Sequence, residues 1–103
     1  MIRRVVGDSM LPAYKHGQIV LAVRARKLAV GDVVIIIHGG IEKIKRLYDM
    51  RTNAVFVVGD NWVESTDSRS FGWLPKSSIS GKVVCTLPFF KRESKPGDVV
   101  ERL

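Results

Sequence analysis

This sequence predicts a mostly β domain, and three features carry that reading. Its apolar stretches are short and separated by Gly, Asp and Pro turn signals, the rhythm of strands joined by tight turns. Two of them, Val33-Val34-Ile35-Ile36-Ile37 and Val55-Phe56-Val57-Val58, are continuous rather than alternating, so both faces of those strands should be covered. Between the first of these and Ile41 sits His38-Gly39-Gly40, where two glycines supply the positive φ angles of a tight hairpin.

Taken in order, strands are expected at about Ile2–Val6, Ile19–Arg24, Val33–His38, Ile41–Leu47, Ala54–Val58 and Ile79–Leu87. Pro12 to Lys15 should form a single helical turn, because Gly17 arrives too soon for a longer helix. Residues 1–90 read as one domain. The tail, 91–103, is polar, carries Pro96-Gly97 and is expected to be loosely held. A chain of 103 residues can bury a core without metals or disulfides. Its one cysteine, Cys85, lies in an apolar strand, is expected to be a buried small hydrophobe, and lacks an evident histidine partner for nucleophilic chemistry.

The net charge of +7 comes from short basic clusters scattered along the chain, at Arg3-Arg4, Arg24 to Lys27, Lys43 to Arg46 and Lys91-Arg92. Such an excess fits attraction to an anionic surface, but no zinc-finger spacing or aromatic-basic sheet pattern accompanies it, so no nucleic acid is expected. His16 and His38 have no ligand-spaced neighbours, and neither a metal nor any other cofactor is expected. No stretch approaches the ~18 apolar residues of a membrane span, and no signal peptide is expected in this sequence, because Met1-Ile2-Arg3-Arg4 leads straight into the Ser9 segment. The expected location is therefore soluble or peripherally membrane-associated. Leu87-Pro88-Phe89-Phe90 followed by Lys91-Arg92 is the segment that would touch a bilayer surface, against the plainer reading that the phenylalanines cap the core.

Three segments carry chemistry. Gly7-Asp8-Ser9-Met10-Leu11-Pro12 places a serine just before a Pro-initiated turn. Ile41-Glu42-Lys43-Ile44-Lys45-Arg46-Leu47-Tyr48 places Lys45 on one strand face with Ile41, Lys43 and Leu47, while Arg46 turns away with Ile44 and Tyr48. Gly59-Asp60-Asn61 opens a polar loop that closes with Ser65-Thr66-Asp67-Ser68-Arg69. A serine and a lysine make a hydrolase only if the lysine is neutral. Its usual pKa of about 10.4 must then fall by roughly three units, about 4 kcal/mol, which desolvation in an apolar neighbourhood can provide.

These segments, together with Gly31-Asp32-Val33-Val34, resemble in order and spacing the motifs of type I signal peptidases, membrane-associated serine–lysine endopeptidases. The resemblance implies a signal-peptidase/LexA-like antiparallel β-sheet domain with short helical turns. It implies Ser9 as nucleophile and Lys45 as general base, with the Ser65 hydroxyl orienting the lysine amine. Arg46, Asp60, Asp67 and Arg69 take supporting roles, Asp60 pairing with Arg46 and Asp67 with Arg69 or nearby backbone N–H groups. The Ser9 backbone N–H belongs to the oxyanion hole; Gly7 stands where some members carry a second, side-chain donor. The implied substrate is an extended peptide segment of a preprotein or proprotein, cut after small residues and laid beside an edge near Val5 and Val6.

Three other readings compete. LexA-like autoproteases also use Ser–Lys, but they cut themselves, commonly at an upstream Ala-Gly that this chain lacks. Maturation proteases of nickel-type superoxide dismutase are similar in shortness and in the stretch Ser65 to Gly72, which implies a dedicated soluble substrate. A basic peptide-binding module that kept the fold and lost turnover is the non-enzyme alternative, and the filled catalytic positions count against it.

Overall fold

The computed structural model describes residues 1–24, 27–63 and 65–87. Phe89, Phe90 and the polar tail lie outside the described residues, as do Ala25, Arg26 and Glu64. Seven strands form one antiparallel sheet: β1 (Ile2–Arg4), β2 (Ile19–Val23), β3 (Val33–His38), β4 (Ile41–Met50), β5 (Ala54–Val58), β6 (Leu74–Pro75) and β7 (Ile79–Leu87). Their order across the sheet is β1-β2-β7-β3-β4-β5-β6. A four-residue helix, α1 (Ser68–Phe71), and a 3₁₀ turn at Lys76–Ser78 complete the described elements.

The continuous apolar runs are covered over most of their length, but Ile37 at the end of the first is 46% exposed and Phe56 in the second is half-buried. β3 lies between β7 and β4, and Val33 to Ile36 are all buried. Its residues alternate between two clusters: Val33 and Ile35 join Val5, Met10, Val20, Ala22, Ile44 and Val83, whereas Val34 and Ile36 join Leu47, Val55, Val57 and Leu74. Each fully buried aliphatic side chain contributes about 1.5–3 kcal/mol. The hairpin from β3 to β4 is a two-residue loop with Gly39 and Gly40 at φ 61° and 77°, and its register pairs His38 with Ile41. That register sets Lys45 opposite Val34, on the face shared with Leu47.

Several boundaries differ from the sequence reading. β1 ends at Arg4, but Val5 continues its pairing through bonds from its N–H to Gln18 (2.8 Å) and to its carbonyl from Gly17 (2.7 Å). β4 runs on to Met50, past a bulge between Leu47 and Asp49 that breaks the alternation. In place of a turn over Pro12 to Lys15, one helical bond closes earlier, from the Tyr14 N–H to the Met10 carbonyl at 2.9 Å. Cys85 is exposed. Burial along β7 stops at Val83, and Val84, Cys85 and Thr86 lie beyond the packed clusters.

Candidate active site

Three segments converge here. The first is the turn after Val5. Gly7 takes φ 90°, a conformation that disfavours side chains, and its N–H donates to His16 Nδ1 at 2.8 Å. The Leu11 N–H then closes a turn onto the Asp8 carbonyl at 3.2 Å. Ser9, inside that turn, is wholly buried, as is Met10 beside it.

The second is β4. Lys45 is wholly buried, and its Nζ donates to Ser65 Oγ at 3.0 Å. Lys43, on the same face, is half-buried with its ammonium over the Phe71 ring at 5.4 Å. Arg46 faces the other way and grips Asp60 with two bonds, Nε to Oδ1 at 3.0 Å and Nη2 to Oδ2 at 2.6 Å. The bond from Asp60 holds the guanidinium even more firmly protonated than usual.

The third is the loop from Gly59 to Arg69. It is tied to the Ser9 turn at three points. The Asn61 N–H donates to the Ser9 carbonyl at 2.8 Å, Asn61 Nδ2 to the Asp8 carbonyl at 3.0 Å, and the Asp60 N–H to Met10 Sδ at 3.4 Å. Gly59 is required by space rather than by backbone angle. A Cβ there would sit 2.5 Å from Ser65 Cβ and 2.7 Å from the Ser9 carbonyl. That missing methyl is where Ser65 enters and meets Lys45.

Asp67 organises the loop's far end as the N-cap of α1. Its carboxylate is 1% exposed and accepts Arg69 Nε at 2.9 Å, Arg69 Nη2 at 2.8 Å, the Arg69 N–H at 3.1 Å and the Gly59 N–H at 2.8 Å. Burial pushes this carboxyl up, but the hydrogen bonds from Arg69 and the Gly59 N–H outweigh burial and bring its pKa down to about 2. Asp67 thus ties Arg69 and Gly59 together across the loop that presents Ser65, whose hydroxyl oxygen accepts from the Lys45 amine. Ser68 anchors the same helix to β5 by accepting the Val57 N–H at 2.9 Å.

Of the residues singled out in the sequence, the structure brings Ser65 to the Lys45 amine, Asp60 to Arg46 and Asp67 to Arg69. Ser9 Oγ has no hydrogen-bond partner among the described residues, so the bond to Lys45 that a dyad requires is not made. Trp73 packs against Phe56 and Arg51, whereas Trp62 is 57% exposed and lies against the Arg69 guanidinium at 4.5 Å. Sequence reasoning missed Asn61. The signal was present, since an amide in a Gly-Asp-Asn loop has donors suited to carbonyls of a neighbouring turn. Among the described residues no helix is long and apolar enough to cross a membrane, and no group of three or more potential metal ligands occurs.

No curated protein matches the chain. A family described as signal peptidase, peptidase S26, matches residues 38–88, a span that contains Lys45 and the whole loop from Gly59 to Arg69. Ser9 lies outside that span and is brought to it by the hydrogen bonds of Asn61. On that match the chain belongs to the signal peptidase family, peptidase S26.

Proposed function

We propose that this peptidase-family chain is a serine endopeptidase in which Ser9 is the nucleophile and Lys45 the general base, and that it removes signal peptides or N-terminal propeptides after small residues. The observation that carries the reading is a wholly buried lysine whose amine is 3.0 Å from Ser65 Oγ, in a loop bonded directly to the Ser9 carbonyl. Burial disfavours the ammonium form, as a base for serine requires.

Ser9 Oγ has no hydrogen bond to break, so a rotation about its Cα–Cβ bond turns it toward Nζ when substrate docks. Oγ adds to the substrate carbonyl carbon while its proton passes to Nζ. The C–N bond then breaks, Nζ returns the proton to the leaving amine, and the acyl group remains on Ser9 as an ester. Water, deprotonated by Lys45, adds to that ester; the C–Oγ bond breaks and Ser9 regains its proton. The Ser9 N–H, which makes no hydrogen bond among the described residues, serves the oxyanion. With Gly7 offering no side chain, a second donor comes from backbone or water.

The substrate strand has a candidate edge. Val5 spends its N–H and carbonyl on Gln18 and Gly17, so those of Val6 face away from β2. An extended peptide can pair there. The test is cleavage of peptides carrying a small-x-small sequence. The wild-type chain should cut after the second small residue, and Ser9→Ala and Lys45→Arg should abolish cutting while leaving the fold intact, because arginine cannot deprotonate in the working range. Full activity in Lys45→Arg sinks the mechanism.

A further inference from the structure

Beside Ser65 the structure holds a shallow cleft of about 190 Å³, lined by Trp62, Ser65, Asp67, Arg69 and Ser70. It is smaller than the ~300–1,000 Å³ of typical small-molecule sites and on the scale of a side chain or two. We propose that this cleft is a specificity subsite for the part of the substrate that leaves first, the segment following the cut bond, and that it selects an acidic side chain there. The proposal rests on the serine–lysine reading above.

Proton bookkeeping sets the position. The base that takes the Ser9 proton must hand it to the leaving amine, so the new N-terminus departs beside Lys45 Nζ. Ser65 Oγ is 3.0 Å from that nitrogen, and Ser65 lines the cleft. The residues next after the cut therefore emerge into it.

Donor chemistry sets the preference. Arg69 gives Nε and Nη2 to Asp67, and Nη2 also to the Trp62 carbonyl at 3.0 Å. Its Nη1 makes no hydrogen bond among the described residues, and the fork geometry of a guanidinium points that nitrogen away from the Asp67 edge. The Arg69 guanidinium carbon lies over the Trp62 ring, 4.5 Å from its centroid, a cation–π contact that helps hold the guanidinium in place. Ser70 lines the same cleft. Asp67 does not offset this, because its carboxylate is buried and fully engaged. A carboxylate meets a cationic donor here, whereas a substrate ammonium meets the Arg69 charge without a free carboxylate to offset it.

The experiment compares peptides that are identical up to the cut bond and carry Glu, Gln or Lys at the first and second positions after it, beside an activated ester of the same acyl segment. Expected is kcat/KM in the order Glu, Gln, Lys, with Glu and Lys differing roughly two- to fivefold at low salt, as suits a partly exposed ion pair. The ratio should shrink at high salt and fall toward one in Arg69→Lys and Trp62→Ala. Equal rates for all three peptides overturn the subsite while leaving the proposed chemistry standing. As a second readout, the released Glu and Lys product peptides are titrated into Ser9→Ala. If no ester is turned over but the Glu product binds more tightly, the chemistry fails and the subsite stands. If neither product is preferred, the subsite falls.

Discussion

Asp67→Asn isolates the electrostatic centre of the loop, and its effect has a calculable pH dependence. The carboxyl titrates at about 2 in the folded chain against an ordinary value of 3.8. A depressed pKa contributes stability above the unfolded value and loses it as pH falls through the folded one. The difference corresponds to about 2 kcal/mol at neutral pH, with about 1 kcal/mol of it gone by pH 3 and most of it by pH 2. The variant also turns an amide N–H toward the Gly59 N–H and the Arg69 guanidinium, which are both donors. Breaking a buried ion pair from one side costs about 3–5 kcal/mol, and the partial exposure of Arg69 places this case at the lower end. Urea denaturation of both chains from pH 7 down to pH 2 is the assay, because carboxylates common to both cancel in the difference. The stability gap should narrow by about 2 kcal/mol across that range. A gap that stays constant with pH refutes the assignment of the low pKa to Asp67.

Gly59→Ala should disturb the site more than the core. Its methyl group would press on Ser65 and the Ser9 carbonyl, costing about 1–3 kcal/mol and at least tenfold in peptide cleavage, read by melting and kinetics together. Ser65→Ala should lower kcat by about tenfold with KM little changed, because one hydrogen bond that aims the lysine is lost. A raised KM at unchanged kcat would assign Ser65 to binding instead.

Much of this fold is legible in the sequence, for reasons that are local. Gly39-Gly40 between apolar runs dictates a hairpin, and that hairpin fixes the register placing Lys45 with Leu47 on a buried face. What escaped depends on distance or on very short elements. β6 has two residues, too few for any periodicity, and its Pro75 fits only because an edge position needs no N–H. The bulge beyond Leu47 hid the end of β4 by breaking its alternation. Cys85 reads as buried because its strand is apolar, yet nothing local marks where the packed clusters end. In the site, the ion pairs of Arg46 and Asp67 were foreseen from motif resemblance. The bonds from Asn61 to the Ser9 turn span more than fifty residues, and no spacing rule reports them.

The central claim is that burial holds Lys45 as a neutral base beside Ser9, and a direct titration of that lysine tests it without knowledge of the substrate. Carbon-13 labelling at lysine Cε gives one resonance per side chain, and the Lys45 signal is the one missing in Lys45→Arg. It should titrate well below the ordinary lysine value of about 10.4, by roughly three units if the amine is to serve at neutral pH. A Lys45 signal that titrates at the ordinary value would contradict the account, whatever the chain cleaves.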